Sequence, residues 1–291
     1  MRFRVSHRTT YDYEEPVSIA NEEARLRPRS TPFQRVEWSR VAVVPVPASM
    51  VTRRDYYGNA VDVFAIEEPH TTFVVQAESM VVVEKRPLPE PSTTVSWEQA
   101  RDFLRGRSAV EQLEAVPYRF DSVFASADPE IHAYAAESFA PGRPLLEAAL
   151  ELVHRIYTEF TYKPGVTSIA TPLSEVMEKR MGVCQDFAHL LIASLRSFGL
   201  SARYVSGYLL TTPPPGKEKV LGADASHAWV SLHVPGLGFV DLDPTNDQIP
   251  AETYVTVGWG RDFGDVSPLK GVILGGGRHT VAVAVDVLPE G

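Results

Sequence analysis

Three short segments hold the residue types that nucleophilic chemistry at a carbonyl requires, in the order thiol, imidazole, carboxylate. The sole cysteine stands in Arg180-Met181-Gly182-Val183-Cys184-Gln185-Asp186-Phe187-Ala188-His189. Downstream come Ser226-His227-Ala228-Trp229 and Asp241-Leu242-Asp243-Pro244-Thr245-Asn246. A thiol attacks only as its thiolate, and a free cysteine is mostly protonated at neutral pH. The unpaired N–H groups and the positive dipole end at a helix N-terminus favour the anion. A neighbouring imidazolium favours it further and can hand its proton to a leaving group. A carboxylate behind the imidazole sets the ring's tautomer and stabilises its charge.

The elements that would position these groups can be read from periodicity. A helix is expected over residues 184–198, with Phe187, Leu191, Leu195 and Phe198 on one face and Gly199 as its stop, which puts Cys184 in the first turn. His189 is nearest in sequence, but five residues turn a helix by about 140°, so it points away from Cys184 and reads as a buried or flanking residue. His227 precedes a strand over 228–234 that turns at Pro235-Gly236-Leu237-Gly238 and returns over 239–243. A hairpin loop of two or three residues sets Asp243 opposite positions 227–230. Asp241 shares that strand face but lies nearer the turn, so spacing favours Asp243 and leaves Asp241 open. Singly, each residue has an ordinary structural role: most buried cysteines are inert, and an aspartate before proline often opens a turn. Their combination is what carries the chemical reading.

Around this centre the chain divides in two. Strands are expected over 3–13, 36–46, 50–54, 61–66 and 72–83, rich in β-branched and aromatic residues, with Asp55-Tyr56-Tyr57-Gly58-Asn59 as hairpin chemistry. They suggest a β-sandwich-like domain over 1–86. Pro87-Leu88-Pro89-Glu90-Pro91 then opens a stiff linker over 87–95. A second, α+β domain is expected over 96–291. It begins with a capping box at Ser96 and Gln99 and a helix with Pro144 at its first position and Leu146, Leu150, Val153, Tyr157 and Phe160 at helical spacing. A short helix follows from Thr171-Pro172 to Gly182, and strands return over 202–210, 228–234, 239–243 and 281–287. The segment Thr211-Thr212-Pro213-Pro214-Pro215-Gly216-Lys217-Glu218-Lys219 reads first as an inert connection and secondly as a flap over the thiol.

Composition removes several classes. A formal net charge of −9 argues against a nucleic-acid partner, which calls for basic patches. No apolar run is long enough to span a bilayer, and the alternating start gives no expectation of a signal peptide or membrane partner. One cysteine forms no internal disulfide, which favours a reducing, cytoplasmic setting. No metal is expected, because none of the eight histidines stands at His-x3-His spacing and there is no cysteine cluster. No cofactor is expected either: Gly275-Gly276-Gly277-Arg278-His279 lacks the strand-to-helix context of a phosphate loop and reads as a turn. The oligomeric state is not readable.

Four blocks resemble the bacterial transglutaminase-like family in order and spacing: Gly182-Val183-Cys184-Gln185-Asp186-Phe187-Ala188, Ala202-Arg203-Tyr204-Val205-Ser206-Gly207-Tyr208, Ser226-His227-Ala228-Trp229-Val230 and Leu242-Asp243-Pro244-Thr245-Asn246. The likeness covers about residues 145–250, and Thr9-Thr10-Tyr11-Asp12-Tyr13 resembles the β module joined to such cores in bacteria. The tail Gly260-Arg261-Asp262-Phe263-Gly264-Asp265-Val266-Ser267-Pro268 is similar too, though less specific. The resemblance implies a papain-like core with a triad of Cys184, His227 and Asp243, and it selects Asp243 over Asp241. It implies attack on an amide carbonyl of a peptide or protein substrate through a thioester, resolved by water or by an amine. The rival is a non-catalytic protein-binding module that keeps the fold. The backbone N–H of Cys184 is the natural first oxyanion donor, and Tyr162 is a candidate second donor or substrate contact.

Overall fold

The computed structural model describes residues 1–106, 109–211 and 226–290. The chain opens with β1 (Arg2–Ala24), β2 (Gln34–Val44), β3 (Ser49–Arg54), β4 (Ala60–Ile66) and β5 (His70–Val83). β1 is far longer than the expected strand over 3–13, because it bends at Glu14-Glu15-Pro16 and continues as a second strand segment. Its first half pairs with β5 on one side, its second half with β4. Two layers therefore share β1. Phe64, Ile66 and Ala20 of one face Phe73, Val75 and Val43 of the other in a single apolar cluster. This is the expected sandwich, built around one folded strand.

The helical part follows as α1 (Trp97–Phe103), α2 (Val110–Ala115), α3 (Pro129–Ala136) and α4 (Leu145–Glu159). Then come β6 (Thr161–Tyr162), α5 (Leu173–Lys179), β7 (Met181–Gly182) and α6 (Cys184–Ser197). The Ser96 side chain caps α1 by accepting from the Gln99 N–H, while Gln99 returns the bond to the Ser96 N–H. α6 is buried continuously from Asp186 to Arg196, so it forms the spine of the main core rather than a surface helix. One sheet covers it, in the order β10 (Gly238–Leu242), β9 (Ser226–Val234), β8 (Ala202–Leu209), β11 (Tyr254–Gly260), antiparallel throughout. Ala202, Tyr204, Ala228, Val230 and Leu232 face the helices. Val205, Trp229 and Tyr254 line the opposite face.

The expected second domain ran to residue 291, and here the structure corrects the sequence reading. After α7 (Phe263–Val266), β12 (Leu269–Gly275) and β13 (His279–Glu290) return to the first sheet and pair with the two halves of β1. The alternating valines that suggested a strand of the α+β sheet instead place Val285 and Val287 beside Phe3 and Val5. Gly275, Gly276 and Gly277 make the turn between β12 and β13, all at positive φ. A Cβ on Gly275 would lie 2.5 Å from the Pro16 carbonyl oxygen, so only glycine follows the bend of β1 here.

The sandwich also closes the free edge of the α+β sheet. Gln34 donates to the Thr256 carbonyl at 2.7 Å and accepts from the Thr256 N–H at 2.8 Å. Asn59 does the same for Trp259, at 2.8 Å and 3.0 Å. Two side-chain amides thus stand in for a neighbouring strand along β11, satisfying backbone groups that burial would otherwise leave orphaned. Around them Phe3, Val5, Val81 and Val83 pack on Tyr208, Val255 and Val257.

Candidate active site

Cys184 is the first residue of α6 and is half-buried. The start of that helix is pinned from within. The carboxylate of Asp186 turns back to accept from the Val183 N–H at 2.8 Å and from the Thr167 hydroxyl at 2.7 Å. Gly182 makes room for it, since a Cβ there would lie 2.8 Å from the Asp186 oxygen. The helix cannot start earlier, and the thiol stays in the turn whose N–H groups lack intrahelical acceptors.

The hairpin of β9 and β10 closes through a three-residue turn that pairs Gly238 with Val234 and Leu242 with Val230. Asp243 therefore continues toward Trp229, on the strand face it shares with His227. His227 Nε2 lies 2.7 Å from Asp243 Oδ2, and its ring is stacked on Trp229 at 6.1 Å between centroids. With Nε2 committed to the carboxylate, Nδ1 is the nitrogen left to face sulfur, and the Cys184 thiol is near enough to act on the ring's titration. Burial alone would lower the His227 pKa. The bonds and charges of Asp243 and Cys184 outweigh it and raise the pKa to about 9.

Asp243 is wholly buried and serves several donors. Besides His227, its Oδ2 accepts from Asn246 Nδ2 at 2.7 Å and from the Tyr254 hydroxyl at 2.6 Å, while Oδ1 accepts from the Thr245 N–H at 2.9 Å. Burial pushes its pKa up, but the His227, Asn246 and Tyr254 contacts hold the carboxyl below the usual carboxylate range. Gln248 in turn donates to the Tyr254 oxygen, which fixes the phenol's proton toward Asp243.

The alternatives separate cleanly. Asp241 accepts from the Ser231 hydroxyl and makes no bond to His227 among the described residues. His189 is buried in the core, accepts from the Phe263 N–H at 3.1 Å and stacks on Phe124. Tyr162 is 53% exposed and sits opposite Gly182 in the parallel β6–β7 pair. Burial and then the charge of Cys184 raise its pKa. The proposed flap, from Thr212 to Lys219, lies outside the described residues. No cluster of metal-ligating side chains occurs among them.

Tyr254, Asn246, Gln248 and Asp186 were not singled out from the sequence. Asn246 was within reach, because it stands three residues after Asp243 in a turn. Tyr254 carried no local signal; it arrives on a different strand.

Residues 3–82 match the Bacterial transglutaminase-like N-terminal region, and residues 132–244 match the Transglutaminase-like superfamily. An uncharacterised protein of Mycobacterium tuberculosis is 43% identical, covering 99% of this chain and 93% of its own. One of Mycobacterium leprae is 35% identical over 98% of both. A protein-glutamine gamma-glutamyltransferase of Pseudomonas aeruginosa is 28% identical over 39% of this chain and 17% of its own. Among solved structures, a candidate cysteine protease from Cytophaga hutchinsonii shares the fold at a TM-score of 0.75 with 20% identity, covering 100% of this chain and 92% of that one. With sandwich, core and the order of the four motif blocks in agreement, this chain belongs to the transglutaminase-like superfamily.

Proposed function

We propose that this protein is a thiol-dependent amide-acyl enzyme in which Cys184 is the nucleophile, His227 the general acid and base, and Asp243 the orienting carboxylate. The observation that carries this reading is the 2.7 Å hydrogen bond between His227 and Asp243, with the Cys184 thiol near enough to help raise the pKa of the same ring. The sulfur attacks an amide carbonyl of a peptide or protein. An S–C bond forms, the C–N bond breaks, and the departing amine takes its proton from His227. Water or an amine then attacks the thioester and gives its proton to His227 as the thiolate leaves. The Cys184 N–H at the start of α6 supplies one oxyanion donor, and Tyr162 contacts the substrate at the rim.

No helix among the described residues is long and apolar enough to cross a membrane. A lone thiol that must stay reduced fits a cytoplasmic setting. The name of the Pseudomonas aeruginosa relative makes a glutamine side-chain amide the first acyl donor to try. The test is to trap the acyl-enzyme with a panel of amide substrates, with and without amines, and to read the mass added at Cys184. An acyl mass on Cys184 that is released by water or amine is expected. No adduct across the panel, together with full biological function in Cys184→Ser, would point to a binding module instead.

A further inference from the structure

A cavity of about 370 Å³ lies between the sandwich and the α+β sheet, on the side of Tyr254 away from the helices. Gln34, Arg203, Phe239, Asp241, Tyr254 and Trp259 are among the residues that line it. Its size is near the lower end of the roughly 300–1,000 Å³ typical of small-molecule sites.

Arg203 is the unusual member. Its guanidinium is wedged between two rings, 3.6 Å from the Trp259 centroid and 4.0 Å from that of Phe239. It makes no hydrogen bond or ion pair among the described residues, and its Nε is sealed without a partner. The other interface arginines are engaged. Arg86 donates to the carbonyls of Leu237 and Phe239, and Arg29 donates to the Tyr57 carbonyl and to Asn59. An enclosed guanidinium with idle donors is costly, and its planar fork matches a carboxylate.

Asp241 faces the same space. It accepts from Ser231 and steadies Arg203 by its charge, yet the two do not join as an ion pair. A simple anion on Arg203 would meet Asp241, and Glu84 and Glu114 on the wall add to that repulsion. A ligand carrying both charges would bridge the gap and satisfy each side chain. The aliphatic lining of Leu88, Leu237 and Ile249 calls for an apolar remainder.

We propose that this inter-domain cavity binds a free α-amino acid with an apolar side chain, its carboxylate on Arg203, its ammonium on Asp241 and its side chain against Leu88, Leu237 and Ile249. Tyr254 is common to the cavity and to the hydrogen bond on Asp243, so an occupant would press on the wall of the active site. The site is thus a means by which a small zwitterion is sensed next to an amide-processing centre.

Binding is tested by calorimetry and thermal unfolding of full-length Cys184→Ala protein, so turnover plays no part and the outcome is independent of the proposed catalysis. The probes are L-leucine and L-phenylalanine, each beside its N-acetyl and its carboxamide derivative. The free amino acids are expected to saturate a single site and raise Tm, with both blocked forms at least about tenfold weaker. Arg203→Met, which keeps the stack, and Asp241→Asn are each expected to weaken the free amino acid by about tenfold or more. No saturable binding, equal binding of a blocked form, or undiminished binding in either variant would overturn the proposal. Should Arg203→Met not fold, Arg203→Lys and the blocked series on the unsubstituted site decide it.

Discussion

The Tyr254 hydroxyl donates to Oδ2 of Asp243 at 2.6 Å, on the oxygen that also receives His227. A residue of β11 thereby braces the carboxylate at the end of the β9–β10 hairpin. The same strand is held by Gln34 and Asn59 of the sandwich. The N-terminal module is therefore tied to the candidate active site through one strand.

Tyr254→Phe should lower kcat about ten- to a hundredfold with KM little changed, since a hydrogen bond to a charged group is worth roughly 1.5–3 kcal/mol and 1.36 kcal/mol is tenfold in rate. Steady-state kinetics on the trapped substrate would read it. An unaltered kcat would show that Asp243 needs no brace from β11.

Cys184→Ala should reduce acyl transfer to background while leaving Tm and circular dichroism nearly unchanged, because a half-buried thiol contributes little packing. Iodoacetamide should label Cys184 at pH 6 well faster than a free thiol, and His227→Ala should remove that advantage. Labelling at the free-thiol rate would count against the sulfur–imidazole pair.

The alkaline limb of the pH profile should follow His227, whose pKa is raised to about 9. The imidazolium proposed to protonate the leaving amine is present below that value and is lost as pH rises through it. Asp243→Asn removes one of the groups that raise the pKa, so the limb should move toward the ordinary histidine value of about 6.5. A limb that does not move in Asp243→Asn would separate the two residues.

Acid should destabilise the fold between about pH 6.5 and pH 4. Burial lowers the pKa of both His189 and His7 to about 4 in the folded state. The unfolded chain binds those protons first, so stability present above pH 6.5 falls as pH drops toward 4, by roughly 3 kcal/mol per histidine at most. Urea unfolding across this window should show a shallower loss in His189→Gln. An identical slope would place the acid sensitivity elsewhere.

Gln34→Ala strands the Thr256 N–H and carbonyl at a buried sheet edge, and Asn59→Ala does the same at Trp259. Each should cost about 1–3 kcal/mol, read as a drop in the midpoint of chemical unfolding. A change below a few tenths would mean that water replaces the amides freely.

Much of the centre was legible in advance. Apolar periodicity located α6, and helical geometry excluded His189, which the structure buries against Phe124. Hairpin spacing brought the acidic pair near His227, and the motif resemblance selected Asp243. Strand spacing anticipated the sandwich, and the resemblance of the β-rich start agreed with it. The alternating valines near the C-terminus showed a strand but not its sheet, since period two is the same whichever partner a strand finds. They pair with β1.

Local sequence thus determined which elements form, because caps, turns and periodicity act over a few residues. It determined as well that a thiol, an imidazole and a carboxylate lie at the ends of neighbouring elements. Only the tertiary structure decided what surrounds them. Tyr254 reaches Asp243, the sandwich amides reach β11, and Arg203 meets an open cavity through contacts between segments far apart in the chain. No local preference encodes such contacts; they follow from how the two modules bury their shared surface.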